Sequence, residues 1–92
     1  MLEIISFNNC ECLIKNSQIR VSSERGIGDF IFKSSVAQTV EIIFSLKGLE
    51  GYYVNDMEIC DKTSDDDVVS LTKTVKAEAD TEIKIRFIDF YK

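Results

Sequence analysis

The chain has 92 residues, of which 45% are hydrophobic and 29% charged, and it contains no histidine, tryptophan or proline. This length and composition predict one folded domain over residues 1–92 with a single core. Without histidine, the chain lacks the side chain best suited to acid–base catalysis near neutral pH and the commonest nitrogen ligand for zinc, copper and iron. The net charge of −5 disfavours direct binding to nucleic acid or to an anionic membrane.

Apolar and polar residues alternate along most of the chain, which is the pattern of strands with one buried face. The alternation predicts strands over residues 2–7, 10–15, 18–22, 29–34, 39–47, 52–60, 68–76 and 81–91, with a break or bulge in the 52–60 run at Asn55-Asp56. Asn16-Ser17 is predicted to close a short hairpin between the second and third strands. Residues 22–28 and 48–51 contain the four glycines and are predicted to be loops, and residues 77–80 are predicted to form a turn.

Residues 36–47 have two interpretations. Ser35 and Gln38 have the spacing of a helix capping box, and several apolar residues of this segment share one helical stripe. The strand interpretation is favoured, because β-branched residues are frequent there and the two-residue alternation is longer than the helical pattern.

Seven or eight short strands at regular spacing predict an all-β domain, either a small antiparallel β-sandwich or a Greek-key-like barrel, with at most one short helix. The predicted core consists of the apolar residues on the inner faces of these strands, namely Phe7, Ile14, Ile19, Val21, Phe30, Phe32, Val40, Ile42, Phe44, Leu71, Ile83, Ile85 and Phe87.

Three cysteines, Cys10, Cys12 and Cys60, leave at least one thiol without an intramolecular disulfide partner. Cys10 and Cys12 are expected on one face of one strand, at the limit of the separation that a disulfide tolerates. Reduced and partly buried cysteines are therefore the favoured interpretation, because cysteine behaves as a small apolar residue in most cores.

Three groups of residues are candidates for binding. Tyr52 and Tyr53 follow a glycine-containing segment, and strand alternation turns one of the two rings outward, where it can contact a protein or a sugar. Arg25 precedes Gly26 and Gly28, and its guanidinium and nearby backbone N–H groups suit an anion. Asp65, Asp66 and Asp67 form a weak calcium candidate, but they lack the spacing of a calcium-binding loop, so a solvated acidic loop is favoured and no metal site is predicted.

These features predict a non-catalytic protein-interaction module, such as an accessory, inhibitory or assembly subunit, with no cofactor. Its edge strands provide backbone groups for a protein partner or for pairing with a second copy. One alternative is a carbohydrate-binding β-sandwich that uses Tyr52, Tyr53 and the acidic loop. Another is an acidic inhibitor whose carboxylates imitate nucleic-acid phosphates. The N-terminus has no basic region and no apolar run is long enough to span a bilayer, so a cytoplasmic, non-membrane protein is expected.

Overall fold

The chain folds into two β-sheets that face each other. The computed structural model describes residues 1–23, 26–46, 49–59 and 69–89. Its nine strands are β1 (Leu2–Asn8), β2 (Glu11–Lys15), β3 (Gln18–Ser22), β4 (Gly26–Ser34), β5 (Gln38–Leu46), β6 (Leu49–Val54), β7 (Met57–Ile59), β8 (Val69–Ala77) and β9 (Glu82–Asp89). The five-stranded sheet has the order β1-β4-β9-β6-β7 and the four-stranded sheet the order β2-β3-β5-β8. The all-β sandwich prediction is confirmed, and the described residues contain no helix.

The core lies between the sheets and is formed by alternate residues of their inner strands. Phe44 of the four-stranded sheet packs against Tyr52 and Phe87 of the five-stranded sheet, with ring centroids 5.5 and 5.7 Å apart. The fully or almost fully buried apolar residues are Ile19, Val21, Phe30, Phe32, Val40, Ile42, Phe44, Leu46, Tyr52, Ala77, Ile83, Ile85 and Phe87. The predicted residues Ile14 and Leu71 are half-buried and pack against this core from the edge strands.

The prediction that Phe7 belongs to the core is wrong, because 60% of its side-chain surface is exposed. Phe7 lies directly opposite Phe30, so it shares the register position of a buried residue. The difference is that β1 is the edge of its sheet, so Phe7 has a neighbouring strand on one side only. Strict alternation from the half-buried Leu2 and Ile4 would put Phe7 on the outer face, and the register shift between Ile4 and Ser6 brings it opposite Phe30, where it stays exposed.

One pair of neighbouring strands in this mainly antiparallel sandwich departs from the pattern, since β3 and β5 pair in parallel. Between these two strands the chain crosses to the other sheet, forms β4 and returns. Two successive reversals of direction bring β5 back beside β3 with the same orientation. Local alternation carries no information on this crossover.

Two predicted loops are partly strand. β4 begins at Gly26, inside the segment predicted to be a loop at residues 22–28, and β6 begins at Leu49, inside the loop predicted at residues 48–51. Gly26 has φ of +94°, which favours glycine, and a Cβ on Gly28 would lie 2.6 Å from Cζ of Phe87. The glycine at position 28 therefore serves close packing within the sandwich, not chain reversal.

The run predicted at residues 52–60 is broken at Asn55-Asp56, and the turn there separates β6 from β7, which gives nine strands among the described residues. Asn55 and Asp56 both have positive φ, 49° and 69°, as in the tight turns that join antiparallel strands. Asn55 also bonds to β9: its N–H donates to the Lys84 carbonyl, and its side-chain oxygen accepts from the Lys84 N–H, each at 2.9 Å.

The strand interpretation of residues 36–47 is confirmed over Gln38–Leu46. Of the two residues with capping-box spacing, Gln38 instead helps to close the connection from β4 to β5, while the Ser35 N–H donates to the Met1 carbonyl at 2.9 Å. The fully buried Ser34 hydroxyl donates to the Val36 carbonyl at 2.6 Å and accepts from the Gln38 side-chain amide at 2.7 Å. These bonds satisfy a buried hydroxyl without a helix.

Phe30→Ala and Phe7→Ala are a matched test of this core, because the two residues face each other across β4 and β1. We expect Phe30→Ala to lower the free energy of unfolding by about 3–5 kcal/mol, since it empties a fully buried position. Phe7→Ala should lower it by less than about 1 kcal/mol. Urea denaturation followed by circular dichroism measures both values, and equal losses would contradict the exposure of Phe7.

Candidate binding surface on the open side of the sandwich

The side of the sandwich formed by β1 and β2, which we call the open side, carries exposed apolar side chains. These strands are edges of their respective sheets, follow each other in the chain and contact each other. Among the described residues, the exposed large apolar side chains are Met1, Ile5, Phe7, Leu13, Ile27, Val36 and Met57. Ile5, Phe7 and Leu13 belong to β1 and β2, and Met1 precedes β1. Apolar exposure is thus concentrated on the open side.

A fixed corner joins the two strands of the open side. Asn9 has φ of 59°, a left-handed conformation that asparagine tolerates better than most residues. Its side-chain amide donates to the Ile27 carbonyl at 3.0 Å, and its own carbonyl accepts from the Ser23 hydroxyl at 3.2 Å. A Cβ on Gly28 would lie 3.1 Å from that carbonyl, so the glycine also permits the corner to approach β4.

A groove follows the corner and the start of β2. Its larger part has a volume of about 670 Å³ and is lined by Phe7, Asn8, Asn9, Cys10, Glu11, Ser22 and Ser23. A second part of about 350 Å³ is lined by Glu11, Cys12, Leu13, Arg20, Val21, Ser22 and Ser45. Glu11 and Ser22 line both parts, so the groove extends from the exposed ring of Phe7 to the exposed side chain of Leu13.

The backbone of β2 has hydrogen-bonding groups directed toward the open side. Asn16 and Ser17 have φ of 51° and 62° and close a two-residue hairpin, as predicted, in which Lys15 pairs with Gln18. The closing pair of such a hairpin is a hydrogen-bonded pair, and bonding alternates along the strand. The N–H and C=O groups of Cys12 and Ile14 therefore point away from β3, toward the side where no described strand lies.

The other edge strands carry features that discourage strand pairing. The register of β1 is irregular between Ile4 and Ser6, and β7 has only three residues. Lys73 lies on the inner face of β8, opposite the buried Ile42, and an inward charge on an edge strand opposes the addition of another strand. The register of β2 is regular along its length, and its central outward residue, Leu13, is 63% exposed.

The two cysteines near the groove are reduced and half-buried, as the sequence predicts. The Cys10 thiol lies 3.4 Å from the Asp29 carbonyl, to which it donates. Burial raises the pKa of both thiols; for Cys12, burial and the neighbouring Cys10 raise the pKa to about 12. Because the thiolate is the nucleophile, burial leaves these thiols less reactive near neutral pH.

The two tyrosines point to opposite faces. Tyr52 is only 6% exposed and belongs to the core, so a surface contact can involve Tyr53 alone. Tyr53 is half-buried on the outer face of the five-stranded sheet, and the Arg86 guanidinium carbon lies 4.7 Å from its ring centroid. Asp29, Arg86, Tyr53 and Glu58 occupy successive strands of one cross-strand row.

The remaining candidates are Arg25, Asp65, Asp66 and Asp67, and they lie outside the described residues, as does Cys60. Within the described part of the chain, no group of three or more cysteine, aspartate or glutamate side chains is arranged to hold a metal ion. That part also contains no helix long and apolar enough to cross a membrane.

Comparison with protein-family models, curated protein sequences and solved structures gives no match for this chain.

The sequence interpretation did not identify the open side as a candidate site. One signal was available in β2: Leu13 is an apolar residue on the face that alternation assigns to polar residues, between Cys12 and Ile14, which face inward. A second signal was available in β1: Phe7 shares the parity of the exposed Glu3 and Ile5, and only the register shift between Ile4 and Ser6 places it opposite Phe30.

Cysteine alkylation tests the burial of this region. At about pH 8, a thiol with a pKa of about 12 has a thiolate fraction about a thousandfold smaller than one at the ordinary value of 9.0. We expect iodoacetamide to modify Cys12 far more slowly in the native protein than in guanidinium, as measured by peptide mass spectrometry. Equal rates in the two conditions would contradict the burial of this thiol.

Proposed function

We propose that this chain is a non-catalytic protein-interaction module that binds an extended protein segment as an additional strand beside β2. The observation that carries this proposal is the combination of a regular edge strand with an exposed leucine at its centre. Exposed, regular and apolar strand edges are normally avoided, because they pair with other chains. Their presence in a folded domain is typical of proteins that recognise partners by strand addition.

In this arrangement the backbone of β2 would provide affinity for an added strand, and the side chains around it would provide specificity. The outward N–H and C=O groups of Cys12 and Ile14 provide hydrogen bonds that any extended segment can accept and donate. Alternate side chains of the added strand would then face two surfaces. One set covers the half-buried Cys12 and Ile14 and approaches Phe7, and the other set contacts Leu13.

The apolar contacts of an added strand would contribute to its binding free energy. Burying the exposed parts of Phe7 and Leu13 contributes about 1–2 kcal/mol each, from the area that is removed from water. The fixed corner at Asn9 lowers the cost of binding, because the groove is already formed before the partner arrives.

The two alternative functions have less support. Carbohydrate binding now depends on Tyr53, one face of whose ring is already covered by Arg86, so less aromatic surface is available for stacking on a sugar. Mimicry of nucleic acid requires a continuous acidic surface. On the outer face of the five-stranded sheet, Lys33 lies between Glu3 and Glu82, so positive and negative charges alternate in that row.

Hydrogen exchange with a selected ligand tests strand addition directly. Extended peptides with alternating apolar residues would be selected from a displayed library for binding to the whole chain. We expect a bound peptide to protect the amides of Cys12 and Ile14, while the Leu13 amide is protected already through β3. Leu13→Lys should weaken binding about tenfold or more, because it places a charge in the apolar contact.

Met57→Lys is the matched control, because Met57 is 69% exposed on the edge strand β7. It should leave peptide binding unchanged. Protection around Tyr53 and Arg86 instead of β2, or equal losses from the two substitutions, would contradict the proposed function.

A further inference from the structure

We propose that the strand added beside β2 is β2 of a second copy of this chain, so that the four-stranded sheet continues through a twofold axis at Leu13. This inference rests on the proposed function and names the partner of the same edge. In the resulting dimer the two β2 strands pair antiparallel. The two four-stranded sheets then form one continuous eight-stranded sheet, in which neither β2 is an edge strand.

The sequence of β2 is complementary to itself in this arrangement. The strand reads Glu11-Cys12-Leu13-Ile14-Lys15. Antiparallel pairing centred on Leu13 places Glu11 opposite Lys15 of the second copy, and symmetry repeats this pair at the other end. The two leucines meet at the centre, and each Cys12 lies opposite an Ile14. Opposite charges that face each other across strands stabilise pairing, whereas like charges oppose it.

The backbone has the alternation that this register requires. Cys12 and Ile14 direct their N–H and C=O groups toward the open side, as the hairpin closed by Asn16 and Ser17 dictates. In the dimer, these two residues face each other as hydrogen-bonded pairs on either side of the axis, which gives four backbone hydrogen bonds. The central leucines form a non-hydrogen-bonded pair, in which side chains approach most closely.

The other edge strands are not complementary to themselves when two copies of each are paired antiparallel about the central residue. β7 would place Glu58 opposite Glu58, and β8 would place Lys73 opposite Lys73. β1 would place Glu3 opposite Phe7, with no cation to receive the carboxylate. Among the described edges, β2 is therefore the one whose self-pairing satisfies both charge and register.

The symmetry also brings the open sides of both sandwiches together. An axis perpendicular to the sheet places each β1 on the side that faces the other copy, so the exposed ring of Phe7 and the adjoining groove lie near the interface. The pairing of five residues is short, so the dimer is expected to be weak unless the groove adds buried area. Association should therefore be measured from roughly 1 µM to 1 mM.

Charge reversal tests the register by sedimentation equilibrium. Glu11→Lys leaves two lysines on each β2, and Lys15→Glu leaves two glutamates, so each variant faces like charges at both ends. We expect each to weaken self-association about tenfold or more. The double variant Glu11→Lys/Lys15→Glu should restore the affinity of the natural chain. An equimolar mixture of the two single variants should form a heterodimer, because each supplies the charge that the other lacks.

Glu82→Lys and Lys84→Glu are the charge-matched controls, because both residues are exposed on β9, away from β2. They should leave self-association unchanged, and circular dichroism checks that every variant is folded. Equal effects of the control and test variants would overturn the inference, as would a mixture of single variants that stays monomeric.

The outcomes separate this inference from the proposed function. If the natural chain is monomeric up to 1 mM but selected peptides protect the Cys12 and Ile14 amides, the second copy is excluded and strand addition stands. If the chain neither self-associates nor binds peptides at β2, both proposals are wrong.

Discussion

The fold depends on the contact of Phe44 with Tyr52 and Phe87, because this is where aromatic rings from both sheets meet in the described core. The contact fixes the separation of the sheets and explains the glycine at position 28, where a side chain would collide with the Phe87 ring. A domain of this size has few large apolar side chains, and this aromatic cluster contains several of them. The sides of the sandwich are then covered by smaller or half-buried residues, such as Ile14 and Cys12 on β2.

Along β1 and β2, the stability of the domain and the proposed binding make opposite demands on the exposed side chains. A fully capped edge would bury Phe7 and Leu13 and increase stability, but it would leave no backbone group for a partner. The chain keeps the corner at Asn9 fixed by hydrogen bonds while it leaves the adjoining strand accessible. When the residues around an accessible edge strand are already fixed, the domain loses little conformational entropy as a partner strand is added. The proposed function follows from this arrangement and not from any catalytic group.

The strands were predictable because alternation is a local property of the sequence. The predicted strands follow from it, including β5, where a helical stripe competed. Ten of the thirteen apolar residues that are buried in the described part of the chain were predicted as core, and Leu46, Tyr52 and Ala77 were not. Local alternation did not predict the parallel pairing of β3 with β5, because that depends on a crossover through the other sheet. It did not predict the exposure of Phe7, which depends on the place of β1 at the edge. The glycine-containing segments were predicted to be loops, but Gly28 lies in β4, where the absence of a side chain allows close packing against Phe87. The candidate surface was missed because which strand is an edge is a property of the assembled sheets. Locally, only the outward parity of Leu13 and Phe7 indicated it.

The parallel pairing of β3 with β5 also constrains the order in which the molecule can assemble. The β2–β3 hairpin closes through a two-residue turn and can form as soon as its own residues are available. Its second edge stays uncovered until β4 has docked in the opposite sheet and β5 has returned alongside. Contacts that are distant in the sequence form slowly, because they close long loops. A nascent chain therefore presents a hairpin with two accessible edges for longer than a meander of the same length would. During that interval β3 is open to the intermolecular pairing that we propose for β2 in the folded protein, so aggregation during synthesis would start at this hairpin.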